Sequence, residues 1–184
     1  DRGRITCALS ANPDTEVVAV KARELGRKAV TVGDDVGLVG DLSGRPDTLA
    51  RLVRIDPRRT ELRRTADDSD PYERIIVANV DQMGIVVAVA DPPPRIGLID
   101  RCLVAAYDAR VDPLLVLTKV DLGDPAELLA AYRDLDVEAV AVTRGGSLDE
   151  LTAHLRDRVS VFVGHSGVGK STLVNALIPD AARA

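Results

Sequence analysis

The chain has 184 residues, 46% hydrophobic and 29% charged; this composition belongs to a globular protein long enough to bury a core, not to a disordered one. No apolar run approaches the roughly 18 residues needed to span a bilayer, so no membrane partner is expected. The formal net charge of -5 argues against indiscriminate polyanion binding and leaves room for a local basic face.

The opening Asp1-Arg2-Gly3-Arg4 lacks the basic region, apolar stretch and small-residue cleavage site of a secretion signal. Cys7 and Cys102 form no CxxC and have no histidine at zinc-ligand spacing, so both are expected to be small buried hydrophobes in a reducing cytoplasm. The first segment, residues 1–66, alternates short apolar runs with glycine and aspartate: Ile5 to Leu9, Val17 to Val20, Ala29 to Val32, Val36 to Val39 and Leu49 to Ile55. The pattern predicts a small all-β domain, taken as an OB-like barrel over an SH3-like one by fold analogy alone. Residues 67–74, in the acidic stretch Asp67-Asp68-Ser69-Asp70-Pro71 and beyond, have no periodicity and read as a linker.

From residue 75 to 184 strands alternate with helices. Ile85 to Ala90 reads as a buried-type strand, and Leu114 to Leu117, Val137 to Val142 and Val159 to Val163 read as strands; Ile96 to Ala109, Pro125 to Leu135, Leu148 to Arg156 and the run from Lys170 read as helices. That alternation predicts a doubly wound parallel α/β sheet. Pro92-Pro93-Pro94 reads as a rigid turn.

Gly164-His165-Ser166-Gly167-Val168-Gly169-Lys170-Ser171 fits GxxxxGK[ST], directly after a strand and before a helix. Glycines let the backbone turn its N–H groups toward phosphate oxygens, and the helix N-terminus adds its positive dipole end. In this pattern Lys170 meets the β and γ phosphates, the Ser171 hydroxyl ligates Mg²⁺, and Thr172 adds an α-phosphate contact. His165 occupies an unconstrained position and reads as a loop residue before a general base; His154 reads as solvated.

Thr118-Lys119-Val120-Asp121 follows a strand at the sheet edge where α/β folds present loops to nucleotides, and fits [NT]KxD. A carboxylate at Asp121 can accept both N1–H and N2–H of guanine, whereas adenine presents an acceptor there. The Lys119 stem can cover the ring, and Thr118 offers one hydroxyl where asparagine is commoner. Thr143-Arg144-Gly145 after the next strand is a second candidate base loop. An ATP-type base pocket, needed by a P-loop kinase, is disfavoured by Asp121.

In Ras-like GTPases the phosphate loop precedes the guanine motif; here it follows, so the order is circularly permuted. That order, the β-rich segment before it, Asn79-Val80-Asp81-Gln82 and Leu98-Ile99-Asp100-Arg101 make the chain resemble the RsgA (YjeQ/EngC) family of ribosome-dependent GTPases. The resemblance implies an OB-fold domain, a permuted GTPase core using GTP/GDP and Mg²⁺, and a C-terminal zinc domain absent from this chain. It also implies a cytoplasmic monomer that acts in late maturation of the small (30S) ribosomal subunit. In the family the switch segments follow the phosphate loop, so a catalytic water-orienting residue is expected beyond Ala184 and none is named here. The DxxG runs at Asp34, Asp41 and Asp81 read as chance turns.

With that resemblance, Arg51, Arg54, Arg58, Arg59, Arg63 and Arg64 become candidates for contact with ribosomal RNA. A solvated strand face interspersed with Asp56 and Glu61 is the equal alternative, since aromatic residues for base stacking make up only 2% of the chain. The rival to a GTP hydrolase is an RNA-binding assembly module whose guanine-nucleotide site is structural.

Overall fold

The computed structural model describes residues 3–26, 29–64 and 74–178. The chain divides into two compact units: the first takes residues up to Arg59 together with Ile75–Asn79, and the second takes Thr60–Arg74 and everything from Val80. The linker expected at 67–74 lies outside the described residues except Arg74, which opens a strand.

In the first unit β1 (Arg4–Leu9), β2 (Asn12–Lys21), β3 (Val36–Gly40) and β4 (Ala50–Ile55) form a four-stranded sheet in the order β1-β2-β4-β3. β1 and β2 make an antiparallel hairpin with Cys7 opposite Val17, β2 runs parallel to β4, and β3 is antiparallel to β4. Alternation turns Val17, Ala19, Ala50 and Leu52 inward, where Ile5, Cys7, Leu38 and Ile55 pack on them. A register shift opposite Gly37/Leu38 breaks the alternation of β4, leaving Arg51, Val53 and Arg54 all exposed.

Ala29 to Val32 is not a strand. Its described residues run into a turn in which the Thr31 N–H donates to the Asp34 carboxylate at 2.7 Å and the Asp34 N–H to the Thr31 carbonyl at 3.1 Å. Gly33 takes φ 87°, and a Cβ there would lie 2.1 Å from the Ala78 carbonyl oxygen. Local side-chain capping and one close backbone approach therefore override the β-propensity of the segment. Two further short strands are β5 (Glu61–Arg64) and β6 (Arg74–Ala78).

The second unit is built on β7 (Gln82–Ala88), β8 (Asp112–Thr118), β9 (Glu138–Val142) and β10 (Ser160–Val163), all parallel, in the order β10-β7-β8-β9. Every residue of β7 is buried, as expected of a strand covered on both faces. One face carries Val86, Ala88, Leu114, Val116, Val140 and Val142 against Leu151 of α3 (Asp149–Leu155) and Leu173 of α4 (Lys170–Leu177). α1 (Ile96–Asp108) packs on β7 and β8 with Ile99, Leu103 and Ala106 buried. α2 (Ala126–Tyr132) buries Leu128 and Tyr132 and continues into a 3-10 turn; Tyr132 ties it to α1 through a 2.8 Å hydrogen bond from its hydroxyl to Asp100. The chain builds outward through β7, β8 and β9, then returns to the other side of β7 with β10. That reversal is the switch point at which open α/β sheets place ligands.

Candidate nucleotide site

The phosphate-loop residues sit at the carboxyl end of β10, beside β7. Gly164 leaves the strand so close to its neighbour that a Cβ would stand 2.3 Å from the Val86 carbonyl oxygen. Gly167 and Gly169 have φ of 84° and 96°, a left-handed backbone that glycine adopts without cost. Val168, at a position the motif leaves open, is buried in the core under the sheet and pins the loop from below. Gly169 caps α4, Lys170 begins it, and Ser171 and Thr172 are exposed on its first turn. The Lys170 ammonium is held by the carbonyls of Gly164 and His165 at 2.8 and 2.7 Å, which places it inside the curl of its own loop.

Thr118 ends β8 almost fully buried, and its hydroxyl donates to the Val168 carbonyl at 2.6 Å. The substitution of threonine for the commoner asparagine therefore keeps a direct tie between the two motifs. Lys119 has φ 56° and its ammonium is hydrogen-bonded to the Asp91 carbonyl. A turn closed by the Leu122 N–H on the Lys119 carbonyl, 2.9 Å, carries Val120 and the exposed Asp121.

Thr118 and Lys119 share one cavity of about 380 Å³ with Thr143, Arg144, Gly145 and Gly146, with Gly167, Val168 and Gly169, and with Thr172, Leu173 and Ala176. Its size is that of a small-molecule site. The Thr143–Gly146 turn is closed at 3.1 Å, and Gly145 takes φ 74° where a type II turn requires a positive φ. Three segments distant in sequence thus meet in one cleft, and the exposed Asp121 is not among the residues that line it.

Sequence reasoning missed Asp91, whose backbone carbonyl steadies Lys119, and Gly146, Leu148 and Ala176 of the cavity wall. The adjacent Gly145-Gly146 was a legible turn signal; the Asp91 contact had none, because it uses a main-chain atom 28 residues away. Among the described residues, no three His, Cys, Asp or Glu side chains gather in a metal-holding group. Ser171, exposed on the first helical turn behind Lys170, fits the role of a single protein oxygen on a phosphate-bound Mg²⁺.

The DxxG aspartates have structural work. Asp34 is paired with Arg58, Asp41 accepts from the Ser43 N–H at 2.8 Å, and Asp81, which precedes β7, accepts from the Val159 N–H at 2.8 Å.

The arginines divide. Arg51 and Arg54 are exposed on β4, Arg54 beside Asp56 at 2.6 Å, and Arg63 reaches Glu61 at 2.8 Å. Arg58 grips the buried Asp34 carboxylate with two hydrogen bonds of 2.6 and 3.0 Å. Burial alone would raise that carboxyl's pKa, but hydrogen bonds from Arg58 and the Thr31 N–H, with the guanidinium charge, hold it below the ordinary value. Arg59 donates from its side chain to the Asn79 carbonyl at 3.2 Å, and its N–H to the Asn79 side chain at 2.8 Å. The Arg64 side chain lies outside the described residues. Burial pushes up the pKa of both half-buried thiols, Cys7 and Cys102. No helix among the described residues is long and apolar enough to cross a membrane.

Residues 55–184 match the RsgA GTPase family. Curated relatives include the Small ribosomal subunit biogenesis GTPase RsgA of Chlorobaculum tepidum, 40% identical over 162 residues, covering 83% of this chain and 52% of the relative. The protein of the same name from Pseudomonas fluorescens strain SBW25 is 48% identical over 160 residues, covering 83% and 45%. The chain thus spans about half the length of the curated relatives it matches. Among solved structures, YjeQ from Thermotoga maritima superposes with a TM-score of 0.74 at 27% identity, covering 98% of this chain and 63% of that one. YloQ, described as a circularly permuted GTPase, gives 0.71 at 26% identity, covering 97% and 62%. With residues 55–184 matched by the family and with these relatives, the chain belongs to the RsgA GTPase family.

Proposed function

We propose that this chain binds GTP and GDP in the cleft between Thr118 and Thr172, and that the whole protein hydrolyses GTP in a ribosome-dependent way during late maturation of the small ribosomal subunit. The observation that carries the reading is the 2.6 Å bond from Thr118 to Val168 within a single cavity of about 380 Å³, because it couples a base-selecting loop to a phosphate loop. Residues 164–172 cradle the phosphates, Lys170 faces the β and γ groups, and Asp121 accepts from the guanine edge with Lys119 over the ring. Ser171 would hold Mg²⁺, whose positive charge would offset that of the phosphates.

The relatives' names support the ribosomal partner. The organisation proposed is an OB-like β domain over 1–66, a linker at 67–74 and the permuted GTPase domain over 75–184, in a cytoplasmic monomer. The family's zinc domain belongs to this proposal too. Arg51, Arg54 and Arg63 are the arginines best placed by exposure to meet rRNA.

Titration of nucleotide-free protein with GDP, GTP, ADP and XDP in Mg²⁺ buffer tests the site. Wild type should prefer GDP and GTP to ADP, Asp121→Asn should swing toward XDP, and Lys170→Ala should bind more than tenfold more weakly, since a charge-assisted contact is worth about 1.5–3 kcal/mol. Equal affinity for ADP and GDP would overturn the guanine reading.

A further inference from the structure

We infer that His165 is a positioning residue that sets the orientation of the phosphate loop through its own ring, an inference that rests on the nucleotide reading above. The His165 Nδ1 lies 2.7 Å from the carbonyl oxygen of Ser166. A carbonyl oxygen only accepts, so at this separation Nδ1 must carry the proton and donate. The peptide joining Ser166 to Gly167 is a trans plane whose C=O and N–H point in opposite directions. Holding that carbonyl toward the imidazole therefore turns the Gly167 N–H the other way.

The two sides of the loop are distinguishable. His165 lines a small cleft with Pro93, Pro94, Arg95 and Leu98, whereas Gly167 lines the nucleotide-sized cavity, whose wall does not include His165. The ring thus draws the carbonyl to the side away from the cavity and presents the N–H to it. The positive φ of Gly167 permits the main chain to take this turn, and N–H groups following such turns form anion-binding concavities. Lys170 in turn fixes the carbonyls of Gly164 and His165. His165 and Lys170 together hold three consecutive carbonyls, those of residues 164, 165 and 166, so that the loop is arranged before a phosphate arrives and less ordering is left to be done on binding.

The chain contains two histidines, His154 and His165, so nitrogen-resolved NMR of the imidazole groups reads the tautomer directly. At a pH where the rings are neutral, His165 should carry its proton on Nδ1; a proton on Nε2 instead would overturn the inference, whether or not any nucleotide binds. For function, GDP and guanosine affinities would be compared in wild type, His165→Phe, which keeps a ring without the donor, and His165→Asn, whose amide nitrogen can stand in for Nδ1. The expected result is about five- to tenfold weaker GDP binding in the Phe variant, unchanged guanosine binding, and recovery in the Asn variant, with melting temperatures reporting the fold. GDP binding in the Phe variant equal to wild type, or an equal loss for GDP and guanosine, would overturn it. Failure of wild type to bind GDP would strike the nucleotide reading itself, and is seen before any substitution is made.

Discussion

The hydroxyl of Thr118 donates to the main-chain carbonyl of Val168 across 50 residues of sequence. Both residues are buried, so the bond is made where water cannot replace it. The end of β8 and the phosphate loop are consequently one mechanical piece. Thr118→Val keeps the shape and removes the donor, stranding a buried carbonyl. The expected cost is about 1–3 kcal/mol in urea denaturation, together with weaker GDP binding by calorimetry; an unchanged stability would mean the carbonyl finds another donor.

Gly164→Ala places a Cβ 2.3 Å from the Val86 oxygen. The oxygen is main chain and the Cβ is fixed rigidly to the main chain, so neither can move aside without parting β10 from β7. A loss of about 2 kcal/mol or more is expected, in the range of overpacking, with nucleotide binding falling further than stability. Gly169→Ala meets no atom within 4 Å and pays only for its left-handed φ, about 1–2 kcal/mol. Thermal melts of the two variants should keep that ranking.

Asp34→Asn removes the carboxylate charge that Arg58 grips and should cost about 2 kcal/mol at pH 7. The folded carboxyl has a lowered pKa. Its contribution is therefore complete above the unfolded value of about 3.9 and declines as pH falls through the folded one. The stability gap between wild type and variant should narrow as denaturation is repeated from pH 7 down to pH 3. A gap independent of pH would show that the ion pair does not carry the effect.

The Tyr132 phenol is pushed up to about 12 by burial, by its hydrogen bond to Asp100 and by that carboxylate's charge. A raised folded pKa means the neutral phenol's contribution is fully present below the unfolded value of about 10 and is lost as pH rises toward 12. Ultraviolet titration of the three tyrosines should show one ionising near 12, and Tyr132→Phe should abolish that step alone.

The parts of this molecule that could be read from sequence are those that short-range chemistry dictates. Four apolar runs became the parallel strands β7 to β10, and the glycines of residues 164–169 and the motif at 118–121 lie where strand ends meet a helix and a turn. What escaped was set by partners far along the chain. Val30 and Val32 have the composition of a strand, yet the turn at Gly33 takes them out of the sheet, and no local residue announces the Ala78 carbonyl against which Gly33 packs. Arg58 looked like one of six similar arginines until the fold set it on Asp34, 24 residues earlier. Val168 looked like a free position in a loop, and burial beneath the sheet made it an anchor.

The return of the chain to the far side of β7 also has a consequence in time. Ser160 pairs with Gln82, 78 residues before it, and contacts of such separation form slowly because a long loop must be closed first. β7, β8 and β9, with the turn at residues 118–121, all precede β10 in the chain, so the cleft that residues 118–119 share with residues 167–169 closes only when β10 docks. During synthesis the cleft proposed for the nucleotide is therefore completed only when β10, the last strand of the sheet, has found its place.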